Sequence, residues 1–471
     1  MRSSLVAIAI GVLAALAAPA EDAVTRDRIE ALERRNEELA IHNQDLEQRL
    51  EELEQRDHER SKAETAEEND FGNFTEWARR IRISGSANTG YYYGGTGTPF
   101  EDTSFSIWDA RLFLDADLGR EITLGDTTVA RNAGFSFEWN IVRLGELQGT
   151  DVPPGQVGET YIELQGLGGS RWFNAQVGRF QIPVGENYLR FSKGYRDNPF
   201  ITNTVGGPWW WDEGVRIYGS DAGERFGYVA SISDGETDFS EDASRDPQFT
   251  LKLYARPTPW FYASVSALHS GRVGSEANDV SASGALWLGE TWATPVGRFA
   301  PWIPIYQNGV AISGSTSNEI DSTTLIGADL VFTHEKLGRL WLAYGRYSID
   351  AADTSEFDRD LSYWIAEWTL QGEALAPELS PFYLGLRANG LGTYEDGEGY
   401  VLDIGQAFTL GYNVRALEAY SIVLGWHLTR WTTLRAEFSH QEISLVDGTP
   451  RWLRDAARDA NYFGVELGAA F

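Results

Sequence analysis

The chain has 471 residues, 69 acidic against 39 basic, a formal net charge of −30, and no cysteine. That charge excludes a nucleic-acid partner, whose phosphates are bound through Lys and Arg. The missing thiols exclude a disulfide framework and a thiolate metal centre.

"MRSSLVAIAIGVLAALAAPA" joins a basic start (Arg2), an apolar run from Leu5 to Leu16 and the small-residue site Ala18-Pro19-Ala20. That is the pattern of an export signal over residues 1–20. Residues 21–60 are expected to form a coiled coil in the periplasm. Ile29, Asn36, Asn43 and Leu50 alternate with Leu32, Leu39, Leu46 and Leu53 at spacings of three and four, an a/d seam flanked by charge. Such a seam implies an oligomer, and its two Asn specify register at some cost in stability. Residues 61–78, with "SKAETAEEND", read as a charged linker.

From residue 79 to 471 the helical period gives way to period-two segments separated by Gly, Asp, Asn and Pro. In "FSFEWNI", Phe135, Phe137, Trp139 and Ile141 oppose Ser136, Glu138 and Asn140. In "FTLKLYAR", Phe249, Leu251 and Leu253 oppose Thr250, Lys252 and Tyr254, and "TTLRAEFS" and the closing "NYFGVELGAAF" alternate in the same way. Sixteen to eighteen such segments without intervening helices exceed one sandwich and must close. The fold expected is all-β, a transmembrane antiparallel barrel of about 16 strands behind an N-terminal α-helical coiled coil. Turns such as "LTRW" and "GLGGSR" suit its periplasmic side, and the acidic stretches 233–246 and 350–360 its outer loops.

The stretch "VGRFQIPVGENYLRFSKGYRDNPFITNTV" carries Gly178-Arg179-Phe180 and Pro183-Val184-Gly185. It is followed by Gly214-Val215-Arg216-Ile217-Tyr218-Gly219 and Asp234-Gly235. Together with the last three strands and the N-terminal coiled coil, these segments resemble the phosphate-selective porin O/P family. The resemblance implies a homotrimer of 16-stranded outer-membrane barrels passing small solutes, with a loop folded inward to narrow the lumen. Residues 184–205 are then the constriction loop. Arg179, Glu186, Arg190, Lys193, Arg196 and Asp197 are its charged candidates.

This chain departs from that pattern in charge. Only four lysines occur, Lys62, Lys193, Lys252 and Lys336. The expected lumen face mixes Arg111, Arg216, Lys252, Arg256 and Arg435 with Asp109, Asp115, Asp117, Glu138, Glu163, Glu437 and Glu466. Acidic groups in a confined mouth attract cations, so mixed or cation-leaning permeation is expected in place of phosphate preference. The expected function is a passive outer-membrane porin of a Gram-negative-type bacterium. Its expected partners are outer-membrane lipid, lipopolysaccharide and, through Phe471, the barrel assembly machinery. A carbohydrate channel guided by Trp209, Trp210 and Trp211, or an anchor touching the cell wall through the coiled coil, are the alternatives. Six scattered His without metal spacing, and no nucleophile elbow, argue against an enzyme, a metal or a cofactor.

Overall fold

The computed structural model describes residues 79–94, 104–125, 127–142, 156–186, 198–202, 204, 211–235, 246–271, 286–287, 298–299, 305–307, 310–313, 320–351, 358–393, 414–448 and 460–471. The export signal, the coiled coil and the linker lie outside them. Arg79–Phe471 forms one compact unit.

The first nine strands are β1 (Ile81–Gly94), β2 (Ser104–Leu124), β3 (Thr127–Val142), β4 (Gln156–Gln165), β5 (Asn174–Gln181), β6 (Trp211–Ser220), β7 (Phe226–Ser233), β8 (Gln248–Thr258) and β9 (Phe261–Ser270). Two short hairpins follow, β10 (Leu286–Trp287) with β11 (Arg298–Phe299), and β12 (Ile305–Gln307) with β13 (Val310–Ser313). The wall resumes with β14 (Ile320–His334), β15 (Gly338–Ala351), β16 (Arg359–Gln371), β17 (Phe382–Thr393), β18 (Val414–Thr429), β19 (Thr432–Leu445) and β20 (Ala460–Ala470).

Sixteen of these strands, β1–β9 and β14–β20, pair in sequence order and close as β1 meets β20. Closure satisfies every strand edge, the condition for backbone to cross hydrocarbon. Phe471 lies just past β20, where its N–H and C=O both bond Gly85, each at 3.0 Å.

Consecutive antiparallel strands put alternate connections at opposite ends. Those at one rim are two to ten residues long, and those at the other run from seven to 49. "LTRW" and "GLGGSR" belong to the short-turn rim, and residues 233–246 and 350–360 to the other, as their composition suggested.

Side-chain alternation sets the two faces. On β8, Phe249, Leu251 and Leu253 are exposed outward while Thr250 and Lys252 are buried inward. Exposed Trp172, Phe173, Phe226, Trp260, Trp426, Trp431 and Phe471 ring the short-turn rim, and Tyr93, Phe105, Phe249 and Phe463 mark the other side. Two aromatic levels bounding an apolar band are the outer surface of a membrane barrel.

The inner face is uneven. On β2–β8 it is polar and charged, whereas on β9 and β14–β18 it carries buried apolar residues, among them Leu268, Leu325, Trp341, Tyr347, Leu361 and Tyr363.

Candidate functional site

Beyond Gln181 the chain leaves the wall instead of turning back into it, and returns after 29 residues at Trp211. Its two described stretches, 182–186 and 198–202, are bound to the inside of the barrel. Ile182 and Val184 are buried in the apolar cluster of β9 and β14–β18. Pro183 and an inverse-γ contact, Val184 N–H to the Ile182 carbonyl at 2.9 Å, bend the chain here. Gly185 then takes φ +63°, and a Cβ there would lie 3.2 Å from the Asp329 carboxylate. Glycine therefore serves both the turn and the approach.

The wall supplies the bonds that this irregular backbone cannot make for itself. Gly185 N–H donates to Ser266 Oγ (3.1 Å) and Glu186 N–H to Asp329 Oδ1 (3.2 Å). Lys252 Nζ donates to the Gly185 carbonyl. Asp329 is itself held by Trp341 Nε1 at 2.9 Å.

The second stretch crosses to β17–β20. Glu437 accepts the amides of Ile201 and Thr202 and the Thr202 hydroxyl. Arg387 Nη2 donates to the Thr202 carbonyl (2.8 Å), with its guanidinium 4.2 Å from the Phe200 ring centroid. Arg435 Nη1 reaches the carbonyls of Asn198 (2.8 Å) and Phe200 (3.0 Å), and Tyr383 hydroxyl that of Pro199 (2.8 Å). Arg435 also pairs with Glu466, which accepts the Tyr92 hydroxyl at 2.9 Å. Asp329, Lys252 and Glu437 all lie well inside their strands, so both described stretches sit within the lumen, one on each wall.

The remaining candidates named from the sequence fall in three places. Asp109, Arg111 and Glu138 form a buried triad, Arg111 bonding Asp109 at 3.1 Å and Glu138 at 2.6 Å. Glu138 also accepts the Glu159 amide (3.1 Å), and Glu159 the Gln181 amide (3.2 Å), so the triad supports the point where the segment departs. Arg216 joins there, bonding Gln176 (2.6 Å) and the Gln181 carbonyl (3.0 Å). Arg179 is buried in a 2.6 Å pair with Glu213, and its guanidinium and that of Arg111 lie 6.0 and 5.7 Å from the Trp211 ring. Asp115 pairs with the exposed Arg82 at 3.0 Å.

Arg256 lies toward the short-turn mouth, 5.6 Å from the Tyr262 ring. Arg190, Lys193, Arg196 and Asp197 lie outside the described residues.

Sequence reading missed Asp329, Trp341 and Arg387, three of the groups that hold the segment. Asp329 and Arg387 interrupt the apolar runs "LIGADLVF" and "LGLRANGLG". A lone charge at an inward-facing position was the available signal.

At the short-turn mouth, a cavity of about 530 Å³ runs beneath Asn198–Ile201 and is lined by Arg339, Arg430, Arg435, His334, His427 and Glu335. Among the described residues Arg435 is spent on the tether and on Glu466, and Arg339 lies 3.5 Å from Glu186, while Arg430, 4.5 Å from the Trp431 ring, lines the cavity without an ion pair.

No family model matches this chain, and no curated protein matches it. Its fold is that of solved outer-membrane channels. The anion-selective porin from Comamonas acidovorans is 11% identical, covering 83% of this chain and 99% of that one, with a TM-score of 0.50. The outer membrane channel DcaP of Acinetobacter baumannii is 12% identical over 83% of this chain and 97% of that one, with a TM-score of 0.51.

Proposed function

We propose that this protein is an outer-membrane porin, a passive channel for small hydrophilic solutes and ions, performing no reaction. One observation carries the reading: the described stretches 182–186 and 198–202 of the β5–β6 connection are bound inside a closed barrel, the first through Asp329 and Lys252 on one wall and the second through Glu437, Arg387 and Arg435 on the other. A plain anchor has no need to narrow its own lumen. A pore does, because a fixed constriction sets size and charge selection.

The constriction comprises this segment, with Glu186 on it and Arg190, Lys193, Arg196 and Asp197 in its middle. Arg179, Arg216 and Arg111 brace the wall behind its departure. Because Glu437, Glu138, Glu466 and Asp329 are engaged, formal net charge alone is a poor guide to permeation, and Arg225, Arg256 and Arg430, which form no ion pair among the described residues, favour anions at the short-turn mouth. That reading stands against the mixed or cation-leaning expectation and keeps phosphate within the range of solutes. Trp211 lies against two guanidinium groups, which argues for wall support over a sugar rail.

The assembly fitting this barrel is a homotrimer in lipid and lipopolysaccharide, delivered by the barrel assembly machinery through Phe471. The coiled coil would then lie in the periplasm, within reach of the cell wall.

The test is the mature protein in a planar bilayer under a KCl gradient. Stable open-channel steps with a reversal potential of anion-selective sign are expected. A cation-selective sign would overturn the charge argument, and absence of conductance would overturn the channel itself.

A further inference from the structure

A second cavity, of about 490 Å³, opens between the first tethered stretch and the short-turn rim, lined by the ends of β8, β9, β14 and β15 and the β6–β7 turn. That size falls within the roughly 300–1,000 Å³ range of small-molecule sites. Its charge is lopsided. Arg225, Arg256 and Arg339 face one carboxylate, Glu186, which already lies 3.5 Å from Arg339 and 3.9 Å from Lys252. Neither Arg225 nor Arg256 forms an ion pair among the described residues. The same turn carries two acids outside the cavity lining, Glu224 and Asp221, and Asp221 accepts the amides of Phe226 (3.0 Å), Arg225 (2.6 Å) and Gly223 (3.4 Å). These bonds, the Phe226 amide foremost, together with the nearby Arg225 charge, hold its carboxyl below the usual range.

Apart from Gly223, Thr258 and Thr333, the rest of the lining is apolar. The Tyr262 ring, 6% exposed, lies 5.8 Å from Lys252 Nζ and 5.6 Å from the Arg256 guanidinium. Val331 is buried beside it, and Pro257 and Pro259 complete the wall. Thr258 Oγ1, also in the lining, is buried with no hydrogen-bond partner. Inorganic phosphate would leave the apolar surface unused, and a neutral sugar would leave the arginines unmatched. A flat apolar body bearing one carboxylate uses both, because a guanidinium fork matches a carboxylate and an aromatic face packs a ring.

We propose that this cavity is a docking site for small aromatic carboxylates, with Arg256 and Arg225 holding the carboxylate and Tyr262 and Val331 the ring. The proposal rests on the channel reading for its purpose, since the solute would pause here in transit.

The experiment is calorimetric titration of the full-length protein in detergent with benzoate, acetate and benzyl alcohol. Benzoate is expected to bind at least about tenfold more tightly than either. Arg256→Gln should lose roughly tenfold through one charge-assisted hydrogen bond, while keeping the electrophoretic mobility of the folded barrel. Arg225→Gln and Thr258→Val repeat the test should that variant not fold. Equal binding of acetate would reduce the site to charge alone. Equal binding of benzyl alcohol would reduce it to apolar surface, and unchanged affinity in all three variants would place binding elsewhere. Any of these overturns the proposal.

KCl conductance, recorded on the same preparation, reads the channel separately. Benzoate binding without conductance leaves the site standing and removes the channel. Conductance without benzoate binding does the reverse.

Discussion

Glu437 accepts three hydrogen bonds from the second inward stretch, one carboxylate satisfying two amides and a hydroxyl. Each buried donor left unmatched costs about 1–3 kcal/mol. Glu437→Ala is therefore expected to release residues 198–202 and raise single-channel conductance and current noise, measured in planar bilayers. Unchanged steps would mean that the segment does not bound the pore. Gly178 works differently. It belongs to a motif that carried the family resemblance, yet its constraint is steric: φ is +132°, and a Cβ would meet the Thr160 carbonyl at 2.3 Å. Gly178→Ala should destabilise the barrel by about 1–3 kcal/mol through backbone strain. A lower denaturant midpoint in detergent would be its measure, with open-channel conductance little altered in the molecules that fold.

At the scale of the element, the first tethered stretch is held by apolar burial as much as by hydrogen bonds. Val184 is fully buried against the inner wall, and a charged side chain cannot remain there unpaired. Val184→Asp should expel residues 182–186, widening the pore and admitting larger sugars in liposome swelling. The same change would open the aromatic-carboxylate cavity, whose margin includes Glu186. Strand assignment was legible here because one face of each strand meets lipid, which enforces period two. The descent of residues 182–186 was not. The family resemblance alone implies an inward loop from residue 184; nothing in "QIPVGE" itself names the partners on β8, β9 and β14, at least 66 residues away, that make it a tether.

For the whole molecule, closure depends on the pairing of β1 with β20 and on the two backbone bonds between Phe471 and Gly85. Removing Phe471 leaves the register Ser86 to Ala470 in place but strips the seam of its last pair. Slower insertion and a smaller fraction of folded barrel are expected, read by the heat-modifiable shift on electrophoresis. Full-speed folding would show that the seam is set by β1 and β20 alone.

What the sequence determined by itself is what lipid and backbone chemistry enforce locally: alternation along each strand, short turns at one rim, and an aromatic residue at the closing seam. From these the barrel, its inside and its outside follow without any long-range contact. Tertiary structure decided the strand number of sixteen and the fate of the charges. Asp109, Glu138, Glu437 and Glu466 have the same sequence signature whether they line open water or bind a neighbour. A carboxylate beside an arginine has its field on passing ions largely offset, whereas one held by amides keeps its charge, and only the closed barrel brings those partners within 3 Å or so of one another.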